Sequence, residues 1–238
     1  MAWARKWGFA SRCAAVLALL FVWLLPEPAG KAQEAGVDLA LVLAVDCSFS
    51  VDAVEFRLQM EGLGRAFLLP GVKKAIRAGT LQRIAVIVMQ WSDHDNQIVV
   101  LPWTIVGGDA DADELGQILI AMPRRLAEGG TSISTALIYG QALFDTAPRS
   151  PRHVIDVSSD GRNNIGPPVD AARDRVVAAG ITVNGLAVLN EWPTLDIYFE
   201  QQVTGGAGHF VIPANDYEAY GEAIYLKLLK EITGPGIS

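Results

Sequence analysis

The sequence predicts an α/β protein: a doubly wound, mainly parallel sheet with one antiparallel edge strand and helices on both faces. Three observations predict it. Short apolar runs of strand length recur at residues 37–46, 82–91, 153–158 and 181–189, and runs lacking polar alternation mark strands buried on both faces. Between most of them lie stretches with apolar residues at three- and four-residue spacing, the alternation that builds a parallel sheet through crossover helices. One link is different: Ser92-Asp93-His94-Asp95-Asn96 is short and made of turn residues, so strands 82–91 and 97–106 form a hairpin. Pro102 cannot donate to a ladder, which puts the strand 97–106 at a sheet edge.

The elements follow in order. Strand 37–46 ends in Asp46-Cys47-Ser48-Phe49-Ser50. A helix over 51–69 shows Val54, Leu58, Gly62 and Ala66 on one face with Leu63 and Phe67 beside them, stops at Pro70-Gly71, and has Ser50 as a candidate N-cap. After the hairpin, Gly107–Glu114 resembles a calcium loop only superficially. Glu114 stands at the sixth position, where glycine belongs, and Ile120 at the twelfth, where glutamate belongs. Asp111 and Glu114 instead read as the capping box of a helix over 111–122. Gly129-Gly130-Thr131-Ser132 leads into a helix over 135–144, followed by strand 153–158 and Ser159-Asp160-Gly161. A helix over 167–179 closes at Gly180. Strand 181–189, a short helix within 193–203, a last strand 208–212 and a helix 217–232 complete the pattern, with Tyr217, Tyr220, Ile224 and Leu228 facing inward. His153 and His209 read as packed histidines, and Asp93, His94 and Asp95 as a solvated turn.

Residues 1–32 stand apart. Arg5, Lys6 and Arg12 precede an apolar stretch over 13–25, then prolines and small residues, the pattern of a signal peptide cleaved after Ala32 with Gly30 at −3. About 13 apolar residues are too few to span a bilayer. The expected mature chain is one domain over 37–232, exported to the periplasm or secreted. Without the leader, 15 basic residues face 25 acidic ones, a formal charge of −10. That balance repels nucleic acid and anionic lipid and attracts cations. Only Cys47 remains of two cysteines, so no internal disulfide forms.

Three turns carry oxygen ligands: Asp46, Ser48 and Ser50 on the first, Thr131 on the second, Asp160 on the third. Carboxylates and hydroxyls suit a hard divalent cation. With strand order 3-2-1-4-5-6, all three turns meet beyond the carboxyl ends of the central strands, where the order reverses. At these residues the sequence resembles the Rossmann-like von Willebrand factor A fold and its metal-ion-dependent adhesion site: D-x-S-x-S, a later Thr, then an Asp ending the fourth strand. The phrases VDCSFSVDAVEFR, VMQWS, VIDVSSDGRNN, ITVNGLAV and VTGGAGHF resemble in particular a group of exported bacterial proteins of unknown function.

The resemblance implies that Ser48 and Ser50 contact the ion directly, Thr131 directly or through water, and Asp46 and Asp160 largely through water. Mg2+ fits, with Mn2+ or Ca2+ as replacements, and a carboxylate from a protein partner takes the remaining coordination position. The expectation is a non-catalytic binding module. An accessory role in assembling a metallocentre or envelope complex is the alternative. A phosphohydrolase with Asp46 as nucleophile is disfavoured, because Ser48 stands where a second acid belongs. Neither G-x-G-x-x-G nor a P-loop lysine follows the first strand, which argues against nucleotide binding. Asn163 and Asn164, just after Asp160, either border the expected site or serve the turn.

Overall fold

The computed structural model describes residues 36–234. The expected signal peptide, residues 1–32, lies outside the described residues.

The most apolar runs form the sheet centre. Strand β1 (Leu39–Asp46) and strand β2 (Ile84–Trp91) are buried at every position. The pleat divides their side chains between two cores. Leu39, Leu41, Leu43 and Val45 face one side with Val86 and Val88; Val42 and Ala44 face the other with Ile87 and Met89. The first core is covered by α1 (Ala53–Leu68), α2 (Pro70–Ala78), α3 (Asp109–Ile120) and α7 (Tyr220–Thr233). The second lies under α4 (Ile133–Leu143), α5 (Val169–Ala178) and α6 (Leu195–Tyr198), which runs on into a π-helical turn, Phe199–Val203.

The sheet order is β3-β2-β1-β4-β5-β6, with β3 (Gln97–Val106), β4 (His153–Ser159), β5 (Thr182–Val188) and β6 (Val211–Ala214). All neighbours are parallel except β2 and β3, so the expected order, hairpin and antiparallel edge are all present.

Local expectations needed correction at several helix ends. Asp52, not Ser50, caps α1: its carboxylate accepts from the amides of Val54 and Glu55, at 2.7 and 2.9 Å, while Glu55 accepts from the Asp52 amide at 2.8 Å. Val54 is 54% exposed, while Gly62, Leu63, Ala66 and Phe67 are buried as expected and Phe56, Gln59 and Met60 join them. The capping box starts the helix two residues late. Pro70 ends α1 but also opens α2 from its first position, where no amide is needed.

Helix α3 begins at Asp109 without a side-chain cap, because Asp111 accepts instead from the Gly107 amide at 2.9 Å. Asp216 accepts from the Ala219 amide at 2.8 Å and delays α7 to Tyr220, although Tyr217, Tyr220, Ile224 and Leu228 are all buried as expected. The last strand starts at Val211 because Gly206 and Gly208 take positive φ in the preceding turn.

One buried ionic cluster fastens α7 to the sheet. Lys227 Nζ lies 2.6 Å from Asp156 Oδ1 on β4 and 2.8 Å from Glu231 Oε1, and Asn184 on β5 donates to the same Glu231 oxygen at 3.0 Å. Burial and the Asp156 charge push the Glu231 carboxyl up to about 8, against the opposing pull of Lys227. Replacing Lys227 with Met keeps the apolar stem and strands two acids, so it should cost about 3–5 kcal/mol. Denaturant titration checks this. The loss should be larger above about pH 8, where Glu231 ionises, than below it.

Candidate metal centre

Parallel pairing of β1 with β4 places their carboxyl ends side by side: Asp46 is the last residue of β1, and Asp160 directly follows β4. Both carboxylates are completely buried. The turn after β1 folds back on Asp46, whose Oδ1 accepts from the Ser48 amide at 2.7 Å. A chain of polar contacts then runs outward. The Ser48 and Ser50 hydroxyls lie 3.2 Å apart, and Ser50 Oγ donates to Asp160 Oδ1 at 2.6 Å. With Asp52 capping α1, Ser50 is left free to face the site.

Thr131 arrives from the loop ahead of α4. A Cβ built on Gly161 would sit 3.3 Å from Thr131 Oγ1 and 3.8 Å from Ser50 Oγ, so the two hydroxyls flank the same bare backbone. Ser132, the other hydroxyl in that loop, is turned away, accepting from Thr135 Oγ1 at 2.8 Å. All five expected residues, Asp46, Ser48, Ser50, Thr131 and Asp160, therefore converge at one place.

Several supporting residues carried no sequence signal. Arg124 donates to the carbonyls of Val51 (2.8 Å) and Cys47 (2.6 Å), clamping the ligand-bearing turn from outside. Ser159 donates to Asp46 Oδ2, and Gln59 donates to the Asp46 carbonyl at 3.3 Å. Asn164 accepts from the Thr131 amide at 2.8 Å, and Asn163 accepts from the Ser134 amide at 3.0 Å, so the pair holds the Thr131 loop against the turn after β4. Their place just after Asp160 was the one hint available. Cys47 is a buried spacer in the core, and burial pushes its thiol up to about 12. His94 sits in the exposed turn between Asp93 and Asp95, as expected.

The electrostatics are those of a site short of positive charge. Among the described residues, neither Asp46 nor Asp160 has a salt-bridge partner. Burial, and then the Asp160 charge, push the Asp46 carboxyl up to about 7. Burial raises Asp160 as well, and its Oδ2 is buried with no hydrogen-bond partner. The Tyr217 hydroxyl is buried beside Asp160 without a hydrogen bond of normal geometry, and burial followed by the Asp160 and Asp46 charges drives its pKa strongly upward. A divalent cation would supply the missing charge, and the hydroxyls of Ser48, Ser50 and Thr131 are the neutral oxygen donors that it takes. The donor set fits such an ion.

The raised Asp46 pKa has a consequence for stability. Folded Asp46 holds its proton to about pH 7, whereas the unfolded carboxyl releases it near 3.8. Its stabilising contribution is therefore present below the unfolded value and lost as pH rises through about 7. Without added metal, melting temperature should fall between about pH 5 and about pH 8, and Mg2+ should recover part of the loss by replacing the proton. Asp46→Asn, which can keep both hydrogen bonds by donating to Ser159, should flatten the metal-sensitive part of the profile. The part due to Glu231 should remain.

Solved structures share this architecture at low identity. Proximal thread matrix protein 1 from the mussel byssus aligns with a TM-score of 0.61 and 17% identity, over 84% of this chain and 49% of that one. This chain thus spans about half the length of the mussel protein. A second structure of that protein, at TM-score 0.59 and 18% identity over the same shares, has a zinc-occupied MIDAS motif. Protein BatB from Bacteroides thetaiotaomicron aligns with a TM-score of 0.52 and 16% identity, over 82% of this chain and 100% of that one. A von Willebrand factor type A protein from Catenulispora acidiphila gives 0.51 and 18%, over 83% and 43%. At such identities the likeness concerns the fold, which is that of a von Willebrand factor A domain. No curated protein matches the sequence. The family model described as "Protein of unknown function (DUF1194)" matches residues 36–236, which takes in every described residue, and the protein belongs to that family.

Proposed function

We propose that this protein is an exported, non-catalytic binding module that uses a divalent cation to grip an acidic group on a protein partner. One observation carries the reading. Two fully buried carboxylates without a cationic partner meet three hydroxyls at the ends of neighbouring strands, beneath an open cleft. Ser48, Ser50, Thr131, Asp46 and Asp160 would hold the ion. Bound there, it supplies an electrophilic position for a carboxylate. Mg2+ is the proposed ion because it accepts few protein ligands and keeps waters; Mn2+ and Ca2+ are the replacements, and the zinc in the mussel protein's MIDAS motif is consistent with a divalent site.

A catalytic role finds less support. An attacking carboxylate must reach a substrate, yet Asp46 is wholly buried with one oxygen accepting from the Ser48 amide and the other from Ser159. Export rests on the leader-like residues 1–32. Among the described residues, no helix is long and apolar enough to cross a membrane.

The test has two arms. Calorimetric titration should detect Mg2+ binding to the wild type and its loss in Asp46→Ala and Asp160→Ala. Capture from the envelope fraction of the producing cell should retain a partner in Mg2+ and lose it with chelator or with Asp46→Ala. A partner kept under both conditions would rule out metal-dependent capture.

A further inference from the structure

Above the five oxygen-bearing residues lies a cleft of about 430 Å3 whose walls are not those of a bare ion site. Phe49, between the two serines, is 70% exposed, and Trp192, on the loop after β5, is 47% exposed. Both line the cleft. Burying two such rings in water-excluded contact is the kind of surface a partner covers, and aromatic and arginine residues dominate binding energy at interfaces.

Arg162 is fixed between them and the floor. Its guanidinium carbon lies 4.9 Å from the Trp192 ring centroid and 5.4 Å from that of Tyr198, and its Nη2 donates to Thr194 Oγ1 at 3.1 Å. Tyr198 is held in turn by the Asn163 amide, which donates to its hydroxyl at 3.2 Å. Stacked and tethered in this way, the guanidinium is pre-organised on the cleft wall, where its positive charge favours an acidic ligand. Glu191 also lines the cleft and opposes a ligand of high negative charge such as a phosphate.

We infer that this cleft receives an acidic residue of a protein partner together with an adjacent aromatic or aliphatic side chain, which lodges between Phe49 and Trp192 while the Arg162 guanidinium pairs with an oxygen of the same segment. The inference rests on the metal-site reading and adds the sequence preference of the partner. The apolar walls select the neighbour, the ion selects the carboxylate, and Arg162 sets the direction of the chain between them.

The probe is a library of random linear peptides displayed on phage and selected on the full chain in Mg2+. Enriched peptides should share an Asp or Glu beside an aromatic or aliphatic residue, and EDTA should release them. A synthetic copy of the most enriched peptide should bind Phe49→Ala, Trp192→Ala and Arg162→Gln about tenfold or more weakly, with Trp192→Phe retaining wild-type affinity. Calorimetric Mg2+ affinity should be unchanged in all four variants, and each should remain folded at the assay temperature. Peptides lacking the acidic–apolar pair, wild-type peptide affinity in the alanine variants, or binding to a glycan array that peptides do not compete would overturn the inference and leave the metal site standing. Failure of the wild type to bind Mg2+ in the peptide-free titration would remove both readings together.

Discussion

Parallel pairing between β1 and β4 is the interaction on which the carboxyl end of the sheet depends. The chain order reverses there: β2 and β3 lie to one side of β1, while β5 and β6 lie beyond β4. Crossover helices on opposite faces leave a gap above the two strand ends, and loops from both halves enter it. Asp46 and Asp160 are adjacent because their strands are, and for no reason local to either segment. Without that pairing, the D-x-S-x-S turn would be an ordinary connection, and the Thr131 loop would have nothing to lean on.

Having brought two acids together in a dry place, the fold does not neutralise them with lysine or arginine. It does so elsewhere. At Asp156 and Glu231, Lys227 sits between the acids and satisfies an oxygen of each. The contrast between the two clusters is informative, since both are buried and both involve residues at or near β4. One is closed by a resident cation and serves to anchor α7. The other has no salt-bridge partner among the described residues and has the hydroxyls of Ser48, Ser50 and Thr131 around it, a donor set that suits an external cation. The Arg124 guanidinium is turned onto backbone carbonyls of the ligand turn, where it positions the loop without forming a salt bridge to the acids.

The surroundings of the site divide between rigidity and access. Asn163, Asn164, Arg124 and Ser159 all spend their polar groups holding loops together, which keeps the ligand geometry set before any ion arrives. Glycines at 129, 130 and 161 strip the floor of side chains, and a Cβ at Gly130 would come within 2.9 Å of the Ile165 side chain. The exposed rings of Phe49 and Trp192 then form apolar walls of the cleft, so its lining passes from oxygen donors at the floor to aromatic carbon at the rim.

How much of this was legible in the sequence follows from what is local. Strand runs, their order, the Pro102 edge and the five oxygen-bearing residues were readable, because burial on both faces leaves unbroken apolar segments and ligand turns must follow them. Helix starts were not, because capping is a competition among neighbouring side chains: Asp52 displaced Ser50, and Asp111 turned back to Gly107. Likewise, the Arg124 clamp across more than 70 residues and the raised pKa of Asp46 exist only once separate loops share one buried space. The sequence by itself determined the alternation of strands and helices and the supply of oxygen ligands, since both are written in periodicity and residue type. Only the tertiary structure decided which hydroxyls face the site and how strongly the acids need a cation, because those depend on distance and dielectric between segments far apart in the chain.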